Sequence, residues 1–430
     1  MLTGILGFVV VFALLLLGVP IAFGLLVVGF FGFAILQGMP AALSMVGQLG
    51  FTTVLNEELS VIPLFILMGG FIAVSRLSDD LYAAGNAFLG HLRGGLAMAT
   101  VLASAGFASV CGSSMATAAT LAKVAMPPMR RYGYSDSLAS GSIAAGATLG
   151  IMIPPSVPLL IYGFMTRTDV GKLFIAGILP GLLGTLLYLG AIAWSTSRNP
   201  ALGPPGARSG LRERMYAVRN IWAVVGLFLF IIGGIYFGIF TPTEAAGIGA
   251  FAGFLFSLAR GALNWTRLYE VLLDSARTTG TIFALLTGAL VFSNFIDIAG
   301  VPRALAGWVN EVSIIPVLAI VIILAIYLVL GCILDSMSML FLTVPLFYPI
   351  VQGLGYDLIW FGILVVTMIE IALITPPVGL NVFVLHQVRP DVSTRTIFRG
   401  VMPFVAADLI RVGLIVAFPA IALVLPGLMG

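Results

Sequence analysis

Between Ile221 and Phe240 the chain runs twenty residues without one charged side chain, and segments of this kind return along most of its length. A helix needs about 20 apolar residues to cross the hydrocarbon core of a bilayer. Segments apolar on every side suit lipid or other apolar helices as neighbours, and they do not suit water. Only 9% of the 430 residues are Asp, Glu, Lys or Arg, where an ordinary soluble domain carries roughly 25%. With a mean hydropathy of +1.15, the chain reads as an all-α polytopic membrane protein with lipid as its main solvent.

Other classes fall away on composition. The net charge is +3 and no Lys/Arg run interleaves with aromatics, so the phosphate-neutralising footprint of a nucleic-acid binder is missing. Cys111 and Cys332 sit inside apolar stretches, where a thiol behaves as a small hydrophobe. The histidines are His91 and His386, and neither His-Glu-x-x-His nor Gly-x-Ser-x-Gly occurs, which speaks against an intramembrane enzyme. The amino terminus lacks a basic n-region and runs apolar past Phe31, so Met1 onward is expected in the mature protein.

Cutting the chain at polar clusters, Pro and Gly predicts about ten crossings. They are Leu2 to Gly18, Ile21 to Leu36, Val61 to Val74, a composite stretch 138–164, Phe174 to Trp194, Ile221 to Phe240, Ala245 to Leu258, Thr279 to Ile296, a second composite stretch 358–385, and Val401 to Leu425. The segment from Ser195 to Asn220, with Pro204-Pro205-Gly206 and five arginines, has linker character and divides the chain. At an offset of 222, Pro20, Pro127, Pro154 and Pro155 meet Pro242, Pro349, Pro376 and Pro377. Chance alone predicts about 0.6 such coincidences, so a duplicated half is the better explanation.

The positive-inside rule then orients the halves. With the linker in the cytoplasm, Arg130-Arg131, Arg260 to Arg277 and Arg389 to Arg399 fall inside, the acidic Gln37 to Glu58 falls outside, and Arg167 to Lys172 is the exception. Five crossings per half is odd, so the expected architecture is an inverted repeat: residues 1–197, a basic cytoplasmic linker 198–220, and residues 221–430. Both termini then lie outside.

Two apolar segments, 94–129 and 314–350, are rich in small and polar residues at their centres and are expected as re-entrant hairpins. The first carries Gly112-Ser113-Ser114 at its tip, and the second carries Asp335-Ser336-Met337-Ser338. A carboxylate buried there costs a few kcal/mol on insertion scales, so Asp335 is expected to have a compensating partner. Each half also contains a broken helix, at Pro154-Pro155-Ser156 and at Thr375-Pro376-Pro377-Val378-Gly379-Leu380-Asn381. Paired prolines remove two backbone donors and exclude the helical conformation from the preceding residue. Non-helical backbone at membrane depth is tolerated where it meets protein or lines a wet cavity, and discontinuous elements in matching positions point to a mid-membrane site for substrate and coupling ion. Hydroxyls, carbonyls and an amide are hard oxygen ligands, suited to Na⁺ rather than to a transition metal. Glu370 reads as an interhelical hydrogen-bonding acid, and Asp408 with Arg411 as an i,i+3 pair.

These residues, together with Leu17-Gly18-Val19-Pro20-Ile21-Ala22 and Thr241-Pro242-Thr243-Glu244-Ala245-Ala246, resemble the large membrane subunit of a tripartite ATP-independent periplasmic (TRAP) transporter. The resemblance runs over nearly the whole chain. It implies an elevator-type, sodium-coupled importer of organic acids such as C4-dicarboxylates or sialic acid in the bacterial inner membrane. It also implies a separate small four-helix membrane subunit and a periplasmic substrate-binding protein as partners. Carried over by position, Ser114, Ser156, Asp335 and Ser336 become candidates for the substrate shell. Gly112, Ser113, Ser114, Pro154, Asp335, Ser338, Thr375, Gly379 and Asn381 become candidates for Na⁺. A single-subunit sodium/dicarboxylate symporter of similar architecture is the alternative.

Overall fold

The structure, a computed structural model, describes residues 1–311 and 315–429. Ile314, where the second expected hairpin begins, and Gly430, where the second repeat ends, lie outside the described residues. Twenty α-helices and no strand occur among the described residues. The first ten are α1 (Leu2–Leu16), α2 (Ile21–Gln37), α3 (Met39–Leu55), α4 (Val61–Val74), α5 (Leu77–Leu89), α6 (Gly95–Cys111), α7 (Ser114–Arg131), α8 (Asp136–Gly146), α9 (Val157–Thr166) and α10 (Val170–Arg198). The second ten are α11 (Leu211–Tyr236), α12 (Pro242–Ala259), α13 (Trp265–Ile298), α14 (Val301–Glu311), α15 (Pro316–Gly331), α16 (Ser336–Gly353), α17 (Leu358–Ala372), α18 (Leu380–Val388), α19 (Thr394–Ala417) and α20 (Ala420–Gly427). Among the described residues seven helices are long and apolar enough to cross a membrane, and shorter apolar helices such as α1, α2, α15 and α17 accompany them.

The helix bounds recur at the 222-residue offset, most closely for α7 with α16, and α8 and α17 begin at matching positions as well. The residues that start these helices match too. Ser113 caps α7 and Asp335 caps α16, while Ser135 caps α8 and Asp357 caps α17. In each case a side-chain oxygen accepts a first-turn N–H that would otherwise lack a partner.

Several boundaries differ from the sequence expectation. Gln37 to Glu58 and Arg260 to Arg277, read as connecting segments, are largely helical, as α3 and as the first turns of α13. Polarity there marks the end of the apolar stretch and not the end of the helix. Asn264 caps α13 at the N–H of Arg267, and no Gly or Pro interrupts the chain from Trp265 to Thr279. The expected last crossing divides into α19 and α20 at Phe418-Pro419, where the proline disfavours helical geometry in the residue before it. Only residues 199–210 separate α10 from α11, so the linker is shorter than expected. The amphipathic α5 and α14 were not expected; they lead from the outer helices into the two hairpins.

Hairpin geometry follows from contacts at its base. Helices α6 and α7 pack on each other, and the Tyr134 hydroxyl just beyond α7 accepts the N–H of Leu96 at the start of α6 at 3.1 Å. Both ends also meet the turn between the halves: Gly94 N–H donates to Gly203 O at 2.8 Å and Ser135 N–H to Leu202 O at 3.0 Å. The segment therefore enters and leaves at one end of the molecule. Helices α15 and α16 pack likewise. By contrast, α8 and α9 continue end to end through their break, as do α17 and α18.

The halves run in opposite directions. Arg130, in the last turn of α7, pairs with Asp391 just beyond α18, so the first hairpin's base and the end of α18 share one face. Tyr162 of α9 donates to Leu358 O at the start of α17 at 2.7 Å, which places the end of the second hairpin's return arm with α9 on the other. Outside this inner block, α2 packs along α13 and α4 along α12.

The inner block is tightest where α8 crosses α19. A Cβ added at Gly400 would lie 1.9 Å from Ser137 O, and one at Gly141 would lie 2.3 Å from Gly400 O. Gly400→Ala is expected to cost about 1–3 kcal/mol by overpacking, read as a lower melting temperature of the purified protein. Gly413→Ala on the same helix, where an added Cβ meets nothing within 4 Å, should not lower it.

Candidate functional site

Each hairpin tip is built from one helix ending and another beginning. Gly112 closes α6 in the left-handed conformation at φ 66°, which glycine adopts without steric cost. Ser113 then opens α7, its side chain accepting the Ala116 N–H at 3.3 Å, and Ser114 is buried behind it. Thr117 donates back to Ser113 O at 2.8 Å.

Each break lies against the tip of its own half. A Cβ at Gly112 would come within 4.0 Å of Val157, at the first break. Cys332 Sγ donates to Pro376 O at 3.2 Å, at the second. Pro154-Pro155 and Pro376-Pro377 are both cis. Ser156 spans the first break: buried, it donates to Ile151 O and accepts the Leu159 N–H at 3.3 Å. Pro154 is buried beside it. At the second break Thr375 donates to Ile371 O, and Asn381 N–H donates to Leu373 O at 3.1 Å. Gly379 between them sits at φ 58°.

Asn381 is one of the cross-links between the halves. Its Nδ2 donates to Ala144 O on α8 at 3.2 Å. Its Oδ1 is buried with no hydrogen-bond partner. Such an acceptor costs free energy unless something positive fills its place. Helix α18 packs along α7, and Arg130 in the last turn of α7 pairs with Asp391 just beyond α18. Seven helical steps from Asn381 to Val388, at about 1.5 Å each, therefore put Asn381 roughly 10 Å from that end of α18.

The structure corrects the expectation for Asp335. Its side chain is exposed rather than buried, and its oxygens are taken up by the helix it starts: Oδ2 accepts the Met337 N–H at 3.1 Å and the Ser338 N–H at 3.3 Å, and Ser338 Oγ donates to Oδ1. The compensation anticipated for the charge is thus a helix N-terminus. Asp335 and the buried Ser338 line a cavity of about 220 Å³ facing Phe12, Leu15 and Ile21 of the α1–α2 corner. Ser336 is half-buried. The candidates thus fall into two groups, Gly112, Ser113, Ser114, Pro154 and Ser156 at the first tip and break, and Asp335, Ser336, Ser338, Thr375, Gly379 and Asn381 at the second. Among the described residues no cluster of three or more His, Cys, Asp or Glu forms a metal site. Sequence reasoning missed Ala144 and Arg130, whose roles arise only when distant segments meet.

The chain matches the family model described as "Tripartite ATP-independent periplasmic transporter, DctM component" over residues 8–421. It is 36% identical over 382 residues to the C4-dicarboxylate TRAP transporter large permease protein of Pseudomonas aeruginosa, covering 88% of each chain. It is 30% identical to the sialic acid TRAP transporter large permease protein of Vibrio cholerae, covering 96% of each. A crystal structure of the Alcanivorax borkumensis YdaH transporter has the same fold, with a TM-score of 0.59 at 14% identity, covering 88% of this chain and 89% of that one.

At the base of the first hairpin, Arg389 and Arg130 hold the Asp391 carboxyl well below the usual carboxylate range. A carboxylate whose folded value is depressed stabilises the fold above its unfolded value of about 4, and loses that contribution as pH falls through the folded value. Melting temperature should therefore fall more steeply below about pH 4 in the wild type than in Asp391→Asn.

Proposed function

The chain belongs to the DctM component family of tripartite ATP-independent periplasmic transporters, and from that premise we propose that it imports a small organic anion on a sodium gradient by an elevator movement. It is a transporter subunit of the bacterial inner membrane and not an enzyme. In the proposal, a periplasmic binding protein delivers the anion, a small membrane subunit completes the complex, and both termini lie in the periplasm. The relatives named for C4-dicarboxylates and for sialic acid support a carboxylate as the recognised group.

The observation that carries the sodium reading is the buried, partnerless Oδ1 of Asn381. An amide oxygen fits a hard monovalent cation, and Thr375 and Gly379 lie on the same turn. In the first half the hydroxyls of Ser113 and Ser114 and the backbone around Pro154 would serve the same end. A bound cation supplies the positive charge that an organic anion needs beside the carboxylate of Asp335. The tips and breaks would be ordered by it, because each tip rests on its own break. Movement as a body is supported by the packing: the inner block is cross-linked between halves, while α2, α4, α12 and α13 pack chiefly on one another.

Uptake into vesicles by the complete three-component system tests this. Asn381→Leu should abolish sodium-driven uptake while the complex still assembles. Asp335→Asn keeps a residue that caps as well as Asp and should also lose uptake. Unchanged sodium dependence in both variants sinks the assignment. Omitting the binding protein should leave no transport, and full activity without it would favour a single-subunit symporter.

A further inference from the structure

A cluster of fully buried charged side chains lies beside the first break and plays no part in the site above. Glu370 of α17, Asp408 and Arg411 of α19 are each 0% exposed. Arg411 Nη2 contacts Glu370 Oε2 and lies 2.9 Å from Asp408 Oδ1. Tyr188 of α10 donates to Asp408 Oδ2 at 2.5 Å, and Thr148, before the first break, lies 3.4 Å from the Tyr188 hydroxyl. The backbone N–H of Met152 faces Glu370. Arg411 fits only because residue 184 is glycine, since a Cβ there would lie 2.2 Å from Nη1.

These residues are the titratable groups that meet in this space, and no other charged side chain lies within 4.0 Å of Glu370, Asp408 or Arg411 among the described residues. Two carboxylates face one guanidinium, which leaves one negative charge over. An uncompensated charge shut away from water is costly. Glu370 Oε1 also lacks a hydrogen-bond partner. A metal cation is a poor remedy, because Arg411 Nη2 already touches both carboxylates and the guanidinium would repel it. A proton removes the charge at no cost in space.

We propose that Glu370 and Asp408 hold one proton between them in the folded protein, making this cluster a neutral brace that joins α10, α17 and α19 to the first break. Protonation converts one carboxylate into an O–H donor, and the remaining carboxylate stays paired with Arg411. The brace stands whether or not the tips bind sodium.

Infrared spectra of the full chain in lipid nanodiscs at neutral pH test it. The wild type should show the C=O stretch of a protonated carboxylic acid, shifted in D₂O. Glu370→Gln and Asp408→Asn each leave one carboxylate for one guanidinium, so each alone should lose the whole band. Should either variant fail to fold, proton release on unfolding decides: wild type should release one proton more than the surviving amide variant. A wild-type spectrum without an acid band that these substitutions remove, or equal proton release, overturns the proposal.

Discussion

Backbone amides and carbonyls have no water to turn to inside a bilayer, and this protein leaves helix geometry at both hairpin tips and both breaks. Every non-helical residue at membrane depth must find a partner within the protein. That requirement explains most of what surrounds the two tips and two breaks. Ser156 bridges the first break with its hydroxyl, Asn381 N–H bridges the second, and Ser113 and Asp335 cap the helices that leave the tips. The tips rest on the breaks, so each half covers its own irregular backbone, and the bond from Asn381 to Ala144 joins one half to the other.

The parts legible in sequence were those that a lipid-facing helix has little reason to contain. Pro-Pro pairs and Gly-Ser-Ser inside apolar runs stand out, and their recurrence 222 residues apart marked the duplication before any contact was known. Boundaries set by polarity were less legible. The first turns of α13 and the whole of α3 look like loops because their residues are polar or mixed, yet capping and the absence of breakers keep them helical. Amphipathic α5 and α14 lacked the apolar run that identified the other helices.

Side-chain placement was legible only where partners are close in sequence. The i,i+3 pairing of Asp408 with Arg411 follows from helix geometry, whereas Glu370 joins the same guanidinium from 41 residues away, and Tyr188 reaches Asp408 from the other half. Asp335 shows the converse error. It lies inside a largely apolar segment, but the chain turns there, and the turn both exposes the carboxylate and supplies it with N–H donors.

The Leu202-Gly203 turn binds both ends of the first hairpin. The stretch that joins the two halves thus doubles as a buckle for that hairpin, and an insertion or deletion there would loosen the mouth of the first tip even though it lies far from the tip itself.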